Sequence, residues 1–434
     1  MYLHKINIEN IRSIKTYELA FDPKEYAGWH VVIGDNGAGK SSLVRAIALG
    51  LVGPTEAIAL RQPWAEWLRH EESEGKIELQ IAYDSKLDKI TGSGGKTTQF
   101  IPANLCFQKK SSHPSSVMLF QKNQPNPDPN RYLWGNGTGW FSASYGPFRR
   151  FSGSDREYER LFHSNPRLAP HLSVFGENVA LTECLSWLKD LHIKQLEHKT
   201  DGKILNALKQ FINEGALLPH GTVLEEVTSD AIIFRDGNHC AVPALQLSDG
   251  YRSILSMTFE LIRQMVSTYG IEAVFENIHK GQMKIDLPGV VLVDEIDTHL
   301  HPTWQRQVGH WFRQYFPKLQ FIVTTHSHLV CQAAEHGTVW RLPTPGSDLM
   351  GGRVEGVELQ RLIYGNVLEA LDTDLFGVDV TRSESSQKKL QRLALLNQKA
   401  LHRQLSHHEE TERQQLRAML PTAVNTTEVN GEKR

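Results

Sequence analysis

Apolar and polar positions change their rhythm several times along the chain, and each rhythm predicts an element. Residues 2–21 alternate with period two, which puts Ile6, Ile8, Leu19 and Phe21 on one face of two short strands. "WHVVIG" (29–34) is an apolar run that ends on glycine, a buried strand feeding a loop, and "KSSLVRAIALGLV" (40–52) continues as a helix. "KIELQIAYD" (76–84) and "TTQFIP" (97–102) predict a hairpin around "TGSGGK". The Pro, Asn and Gly of residues 123–139 predict a loop, which leads into a strand at "WFSASYG" (140–146). From about residue 155 to 215 the period becomes helical, with amphipathic stretches at 180–191 and 203–212. "TVLEEVTSDAIIFRDGNHCAVPA" (222–244) predicts a second hairpin. "GVVLVDEID" (289–297) and "QFIVTTHSH" (320–328) carry the continuous apolar runs of strands covered on both faces of a mainly parallel sheet. The last fifty or so residues are polar and helical and end in a tail, "NTTEVNGEKR", expected to be disordered.

The first glycine loop carries chemistry. "GDNGAGKSS" fits G-x-x-x-x-G-K-[ST] over Gly34, Asp35, Asn36, Gly37, Ala38, Gly39, Lys40, Ser41 and Ser42, between a strand and a helix. Glycines let successive N–H groups curl round a phosphate, Lys40 neutralises the β and γ oxygens, and Ser41 ligates Mg²⁺. ATP and Mg²⁺ are therefore the expected ligands. "TGSGGKTT" has a similar composition without the spacing, since position 90 is Ile, and reads as a hairpin turn.

The strand "VVLV" ends in two adjacent carboxylates, Asp294 and Glu295, where an unpaired buried charge would be costly. Asp294 is expected to hold Mg²⁺ through water and Glu295 to orient and activate the attacking water. The strand before "THSH" brings His326 to the same rim, as a sensor of the γ-phosphate. His299 with His301, and His326 with His328, form H-x-H pairs, but no third ligand has recognisable spacing, so no transition-metal site is expected.

"LQLSDGYRSIL" (245–255) begins a helix with Ser248, Asp249 and Gly250. One reading is an N-cap that satisfies the orphan N–H groups. The other is that these N–H groups are kept for an anion, the γ-phosphate approached from its open side.

Composition bounds the partners. The 434 residues are 40% apolar and 22% charged, with a net charge of −2, so no global field points to nucleic acid. The pairs Lys109–Lys110 and Arg149–Arg150 read as solvated charge. Cys106, Cys184, Cys240 and Cys331 lie far apart, without a C-x-x-C pair. With neither a signal-like h-region nor an apolar run of roughly 18 residues, the expectation is a cytoplasmic protein with no membrane contact.

Taken in order, "GDNGAGKSS", "LSDGYRS", "VVLVDEIDTHLHP" and "VTTHSH" resemble the ATP-binding-cassette (ABC) ATPases. The resemblance implies an α/β fold: an ABC-type P-loop head with a mixed sheet, a helical insertion and a C-terminal helical tail. It divides the chain into a first part of the head (1–154), a helical insertion with a hairpin (155–240), a second part of the head (241–345) and a tail (346–434). It also implies a homodimer that sandwiches ATP, or a higher oligomer built on it. Ser248 and Gly250 would reach across the dimer, and Asp297 to Pro302 would connect the two sites. Asp249 and Tyr251 depart from the usual transporter signature, which argues against a transporter motor. Hydrogen bonds to a charged group contribute roughly 1.5–3 kcal/mol each. Two at each of two sites give on the order of 6–12 kcal/mol that depends on the γ-phosphate, enough to decide closure.

The opening "INIENIRSIKTYEL" and "DEIDTHLHPTWQR" resemble the RecF/SMC-related ATPases, which include the OLD nucleases. The OLD class appends a nuclease domain with catalytic acids at strand ends. Asp372 and Asp374 have no strand pattern around them and read as a loop, so no intrinsic nuclease is expected. A head with a short helical tail is similar to the PtuA-type ATPases of the Septu antiphage systems, which work with an HNH nuclease, PtuB. That likeness implies a dimeric ATPase switch that regulates a partner nuclease and meets DNA only indirectly. RecF-like DNA-clamp ATPases and OLD-like nucleases are the alternatives. The glutamine that links Mg²⁺ to the helical lobe stays open among Gln99, Gln108 and Gln121. In the tail, the stripes Leu390, Leu393, Leu401, Leu405 and Leu416, Met419, Leu420 are too narrow for a core of their own. They are expected to dock on the head, a second copy or a partner.

Overall fold

A computed structural model describes the chain except residues 85–86, 89–98, 111–112, 122–126, 136–138, 152–155, 177–182, 198–202, 347–350, 366–383, 402–404 and 420–434. The "TGSGGKTT" segment, Asp372, Asp374 and the terminal "NTTEVNGEKR" lie outside the described residues. Two compact units are present, Met1–Ala370 and Leu371–Arg434.

Among the described residues the first unit contains three sheets. Strands β1 (Tyr2–Ile11), β2 (Ile14–Ala20), β4 (Glu74–Ala82), β5 (Phe100–Lys110) and β6 (His113–Gln121) form an antiparallel sheet in the order β2-β1-β4-β5-β6. The second sheet runs β14-β13-β3-β12-β11-β7. It comprises β3 (Gly28–Ile33), β7 (Ser142–Tyr145), β11 (Gly289–Val293), β12 (Leu319–Thr324), β13 (Gly337–Arg341) and β14 (Gly352–Arg353). All of its pairings are parallel except β13–β14, so the sheet is mixed. Strands β3, β11 and β12 are buried at every position, as their unbroken apolar runs require.

Helix α1 (Lys40–Val52) lies between these two sheets, buried from Leu43 to Val52 apart from Arg45. One cluster joins Ile6, Ile8, Leu79 and Ala103 of the antiparallel sheet, through Leu43, Ile47 and Leu51, to Val32, Leu292 and Ile322 of the mixed sheet. At Gly50 a Cβ would come within 2.5 Å of Leu79, so glycine allows this close helix–sheet approach. The other face of the mixed sheet is covered by α6 (Pro302–Tyr315), where Trp29, Phe312 and Phe321 meet. Helices α2 (Glu183–Leu196) and α3 (Lys203–Glu214) fill the segment read as helical, and α4 (Asp249–Tyr269) and α5 (Ile271–His279) follow it.

Two expectations change. The hairpin expected at 222–244 is a three-stranded antiparallel sheet of β8 (Val223–Val227), β9 (Ile232–Arg235) and β10 (Ala241–Pro243). Strand β6 was absent from the expected elements. Its first half, "HPSS", is polar and contains a proline, and the apolar run "VMLF" behind it is too short to signal a strand alone. Among the described residues no single helix is long and apolar enough to cross a membrane.

The second unit is a helical hairpin of α7 (Glu384–Leu401) and α8 (His407–Met419). Its two stripes, expected to need an outside surface, pack on each other. Leu393, Leu396 and Leu416 are buried together, with Leu390 and Leu405 against them, while Met419 stays exposed. Arg392 pairs with Glu412 and Lys399 with Glu409, which fixes the helices antiparallel. A shared minor core answers the narrowness of each stripe. Leu396→Ala should cost roughly 2–5 kcal/mol, a large share of what so small a unit can hold. Proteolysis within 384–419 should then accelerate; an unchanged cleavage rate would show that this cluster does not hold the hairpin.

Candidate functional site

Strand β3 ends at Ile33, and the chain turns through Gly34–Gly39 before α1 begins. Gly37 (φ 81°) and Gly39 (φ 102°) occupy the left-handed region, which disfavours any residue with a Cβ. A Cβ at Gly39 would also stand 2.6 Å from Ser13 Oγ, so the β1–β2 turn seats the loop from below. No side chain caps α1, and its first turn holds no acid, so its N–H groups face an unopposed positive helix end. Lys40 is buried, and its Nζ donates to the carbonyls of Gly34 (2.8 Å) and Asp35 (3.1 Å). Burial lowers the Lys40 pKa, and the carboxylates of Glu295, Asp294, Asp35 and Asp297 oppose that shift.

Opposite the loop, β11 delivers Asp294 and Glu295. Asp294 is 2% exposed, and Thr324 Oγ1 donates to its Oδ1 at 2.6 Å. The same hydroxyl accepts from the Glu295 N–H at 2.8 Å. Glu295 itself sits at φ 47°, and its carboxylate accepts only from Thr298, at 3.3 Å, among the described residues. The next residue of β12's end, Thr325, donates to Asp297 Oδ1 at 2.5 Å and accepts from the Ser327 N–H. Two threonines on one strand end thus hold two carboxylates of the neighbouring strand end, Asp294 and Asp297, and the backbone N–H of Glu295. His326, between Thr325 and Ser327, is exposed.

These parts meet. Ser13, Asn36, Gly37, Gly39, Lys40, Ser41, Ser42, Glu295 and His326 line one cleft of about 220 Å³. Asp35 and Ala38 stay in the turn, bonded N–H of Ala38 to C=O of Asp35, and Gly34 starts it. A second groove of about 920 Å³ shares Ser13 and Gly37 with the cleft and continues past Ile14, Tyr17, Ala38 and Pro343. Oxygen donors stand in the cleft, the Ser41 hydroxyl and the Glu295 carboxylate, while Asp294, next to Glu295, is buried and does not line it. That donor set suits a hard divalent cation such as Mg²⁺.

Ser248, Asp249 and Gly250 do not line this cleft in their own chain. Ser248 precedes α4 and makes no capping bond, and Asp249 turns aside to pair with Arg252. No side-chain N-cap is therefore formed, and the helix start presents exposed Ser248 and Asp249, the latter an acid in the first turn. Gly250 packs on the loop after β11, where a Cβ would meet the His299 carbonyl at 2.7 Å. His299 and His301 fall in that loop, and His301 caps α6 by accepting from the Thr303 N–H. His328 opens a short helix, so neither H-x-H pair lies on a strand. Gln99, Gln108 and Gln121 are absent from the cleft lining.

Sequence reasoning missed Thr324, Thr325 and Ser13. A signal for the threonines existed, because hydroxyls at the end of a fully buried strand need partners. Arg149 corrects the reading of its pair as solvated charge: it is 3% exposed and bonds backbone carbonyls.

Comparison with known proteins gives the following. A family model described as an AAA ATPase domain matches residues 1–174, and a second, described as an AAA domain, putative AbiEii toxin, Type IV TA system, matches residues 147–331. The Septu protein PtuA of Bacillus mycoides (strain KBAB4) is 25% identical over 342 residues, 78% of this chain and 40% of that protein. The Septu protein PtuA of Bacillus thuringiensis is 33% identical over 139 residues, 32% of this chain and 33% of that protein. The Retron Ec83 probable ATPase of Escherichia coli is 33% identical over 120 residues, 27% of this chain and 20% of that protein. The chain thus spans less than half the length of these curated relatives.

Proposed function

We propose, from the premise that the chain belongs to the ABC-type ATPases and is a homologue of the Septu PtuA proteins, that it is a dimeric ATP switch which regulates a partner nuclease in antiphage defence. The observation that carries the reading is the convergence of the glycine loop, Lys40, Glu295 and His326 on one cleft. The N–H groups of residues 37–42 and Lys40 bind the triphosphate, and the adjoining groove past Ile14 and Tyr17 takes the base. Ser41 and Asp294 hold Mg²⁺, whose chemistry when bound is to neutralise the phosphate oxygens. Glu295 takes the proton of the attacking water, and exposed His326 reads the γ-phosphate. Ser248 and Gly250 close over the partner copy's γ-phosphate, since their helix end faces outward rather than into its own cleft.

The nuclease partner rests on the PtuA relatives, an HNH protein of PtuB type being the expected one. The four cysteines are free, in keeping with a cytoplasmic setting.

Ser248→Arg tests the closure. A large cation at the start of α4 should block the second copy while leaving the loop of its own chain intact. ATP binding by the variant should stay within about twofold of wild type while turnover falls by at least about 100-fold, the scale of losing two charge-assisted bonds. Mixing it with a Lys40→Ala chain should restore one composite site per heterodimer, hence partial activity. Full turnover by Ser248→Arg alone would remove the role in trans.

A further inference from the structure

Arg149 is a cation buried without a carboxylate partner among the described residues. Its fork makes five bonds instead. Nη1 donates to the carbonyls of Gly146 and Asp294, both at 2.8 Å. Nη2 donates to those of Glu295 (3.1 Å) and Ile296 (3.4 Å), and Nε donates to Ser253 Oγ at 3.0 Å. A buried guanidinium is costly unless its donors are used, and here every nitrogen is used. The choice of acceptors is informative. Three of the five are consecutive carbonyls of the turn that presents Glu295, one is the Gly146 carbonyl just after β7, and the fifth, Ser253, lies on α4 one turn past its start.

Three consecutive carbonyls can face one guanidinium only if the chain reverses between them. Glu295 supplies that reversal with its left-handed backbone, a conformation that persists when the surroundings over-determine it. Its N–H is held by Thr324 and its C=O by Arg149, so the peptide is pinned on both sides while the carboxylate stays nearly free. The start of α4 also approaches the loop that follows this turn, where a Cβ at Gly250 would meet the His299 carbonyl at 2.7 Å. A helix of 21 residues moves as a rigid body, so a shift at Ser248 is carried to Ser253.

We propose that Arg149 is a positioning residue that couples the start of α4 to the turn carrying Glu295. Seating of α4 on the γ-phosphate of one composite site thereby sets the base of the other. The inference rests on the dimeric ATPase reading above. It makes hydrolysis cooperative, because each chain's α4 serves the neighbouring site while its Glu295 serves its own.

The test uses the full chain. Ser253→Ala removes the α4 end of the link and leaves the carbonyl fork, with little change of volume. Arg149→Lys keeps the charge and loses the fork. Binding of a fluorescent ATP analogue, kcat, KM and the Hill coefficient of turnover are measured for each. For Ser253→Ala the expected result is a Kd within about twofold of wild type, kcat lower by about tenfold, and a Hill coefficient reduced toward one. Arg149→Lys should lose more in kcat than Ser253→Ala; if it fails to fold, Ser253→Ala decides alone. Wild-type kcat and Hill coefficient in Ser253→Ala overturn the coupling. A wild-type chain that hydrolyses ATP with a Hill coefficient of one overturns it too. A wild-type chain that does not bind ATP overturns the underlying reading instead.

Discussion

Lys40→Ala should weaken ATP binding by at least about 100-fold, as read by titration with a fluorescent ATP analogue. The ammonium is the only basic side chain among the residues lining the cleft apart from His326. Charge-assisted hydrogen bonds contribute roughly 1.5–3 kcal/mol each, and a unit charge pair at about 4 Å near a protein surface adds a few more. Its present partners are carbonyls of Gly34 and Asp35, which the alanine leaves to water or to loop N–H groups, so the glycine turn also loses its cross-brace. Four carboxylates, Glu295, Asp294, Asp35 and Asp297, act on this ammonium. Removing it leaves a net negative cleft that repels a triphosphate, which adds to the loss. An affinity within threefold of wild type would show that the nucleotide does not sit on this loop.

The glycine loop was legible because its physics is local. Gly37 and Gly39 need positive φ within a few residues of Lys40, and a nine-residue string records all of it. Asp294 and Glu295 were legible for a related reason, as carboxylates that stop an apolar strand. What holds those carboxylates was not legible. Thr324 lies about thirty residues away in sequence and meets Asp294 only because β12 is the neighbour of β11 in the sheet. Sequence periodicity gives strands but not their lateral order. Arg149 was further from reach. Its side chain is buried against the Asp294–Ile296 carbonyls and Ser253 of α4, partners more than a hundred residues away in sequence. A basic pair in a turn looks the same whether it ends in water or under a sheet.

The tail shows a different limit. Each leucine stripe was visible, and each was too narrow to be a core; the step from there to an outside partner left out the other stripe. Leu396 and Leu416 complete each other across a short connection, as in any antiparallel helix pair. The start of α4 went the other way. Two readings of Ser248 were open in the sequence; the structure shows no side-chain cap bond there, and the phosphate reading rests on the Ser248→Arg experiment.

Glu295→Gln should leave ATP affinity unchanged within about twofold and cut turnover by about 10²–10⁴, the range of a general base. The amide keeps the shape and the Thr298 contact but cannot take a proton from water. Its backbone anchors, Thr324 on the N–H and Arg149 on the carbonyl, are untouched, so the left-handed turn should survive the change. Binding and chemistry should therefore separate cleanly. The variant retains the γ-phosphate, and with it the bonds from Ser248 and Gly250 of the opposing copy. It should accumulate as an ATP-bound closed dimer, seen as a mass doubling on light scattering that disappears with ADP. Removing a carboxylate from a cleft that receives a tetra-anion also relieves repulsion, so the affinity should rise if it moves at all. Turnover within threefold of wild type would place the base on another residue. Lost binding would show that the carboxylate serves the structure of the loop rather than the water.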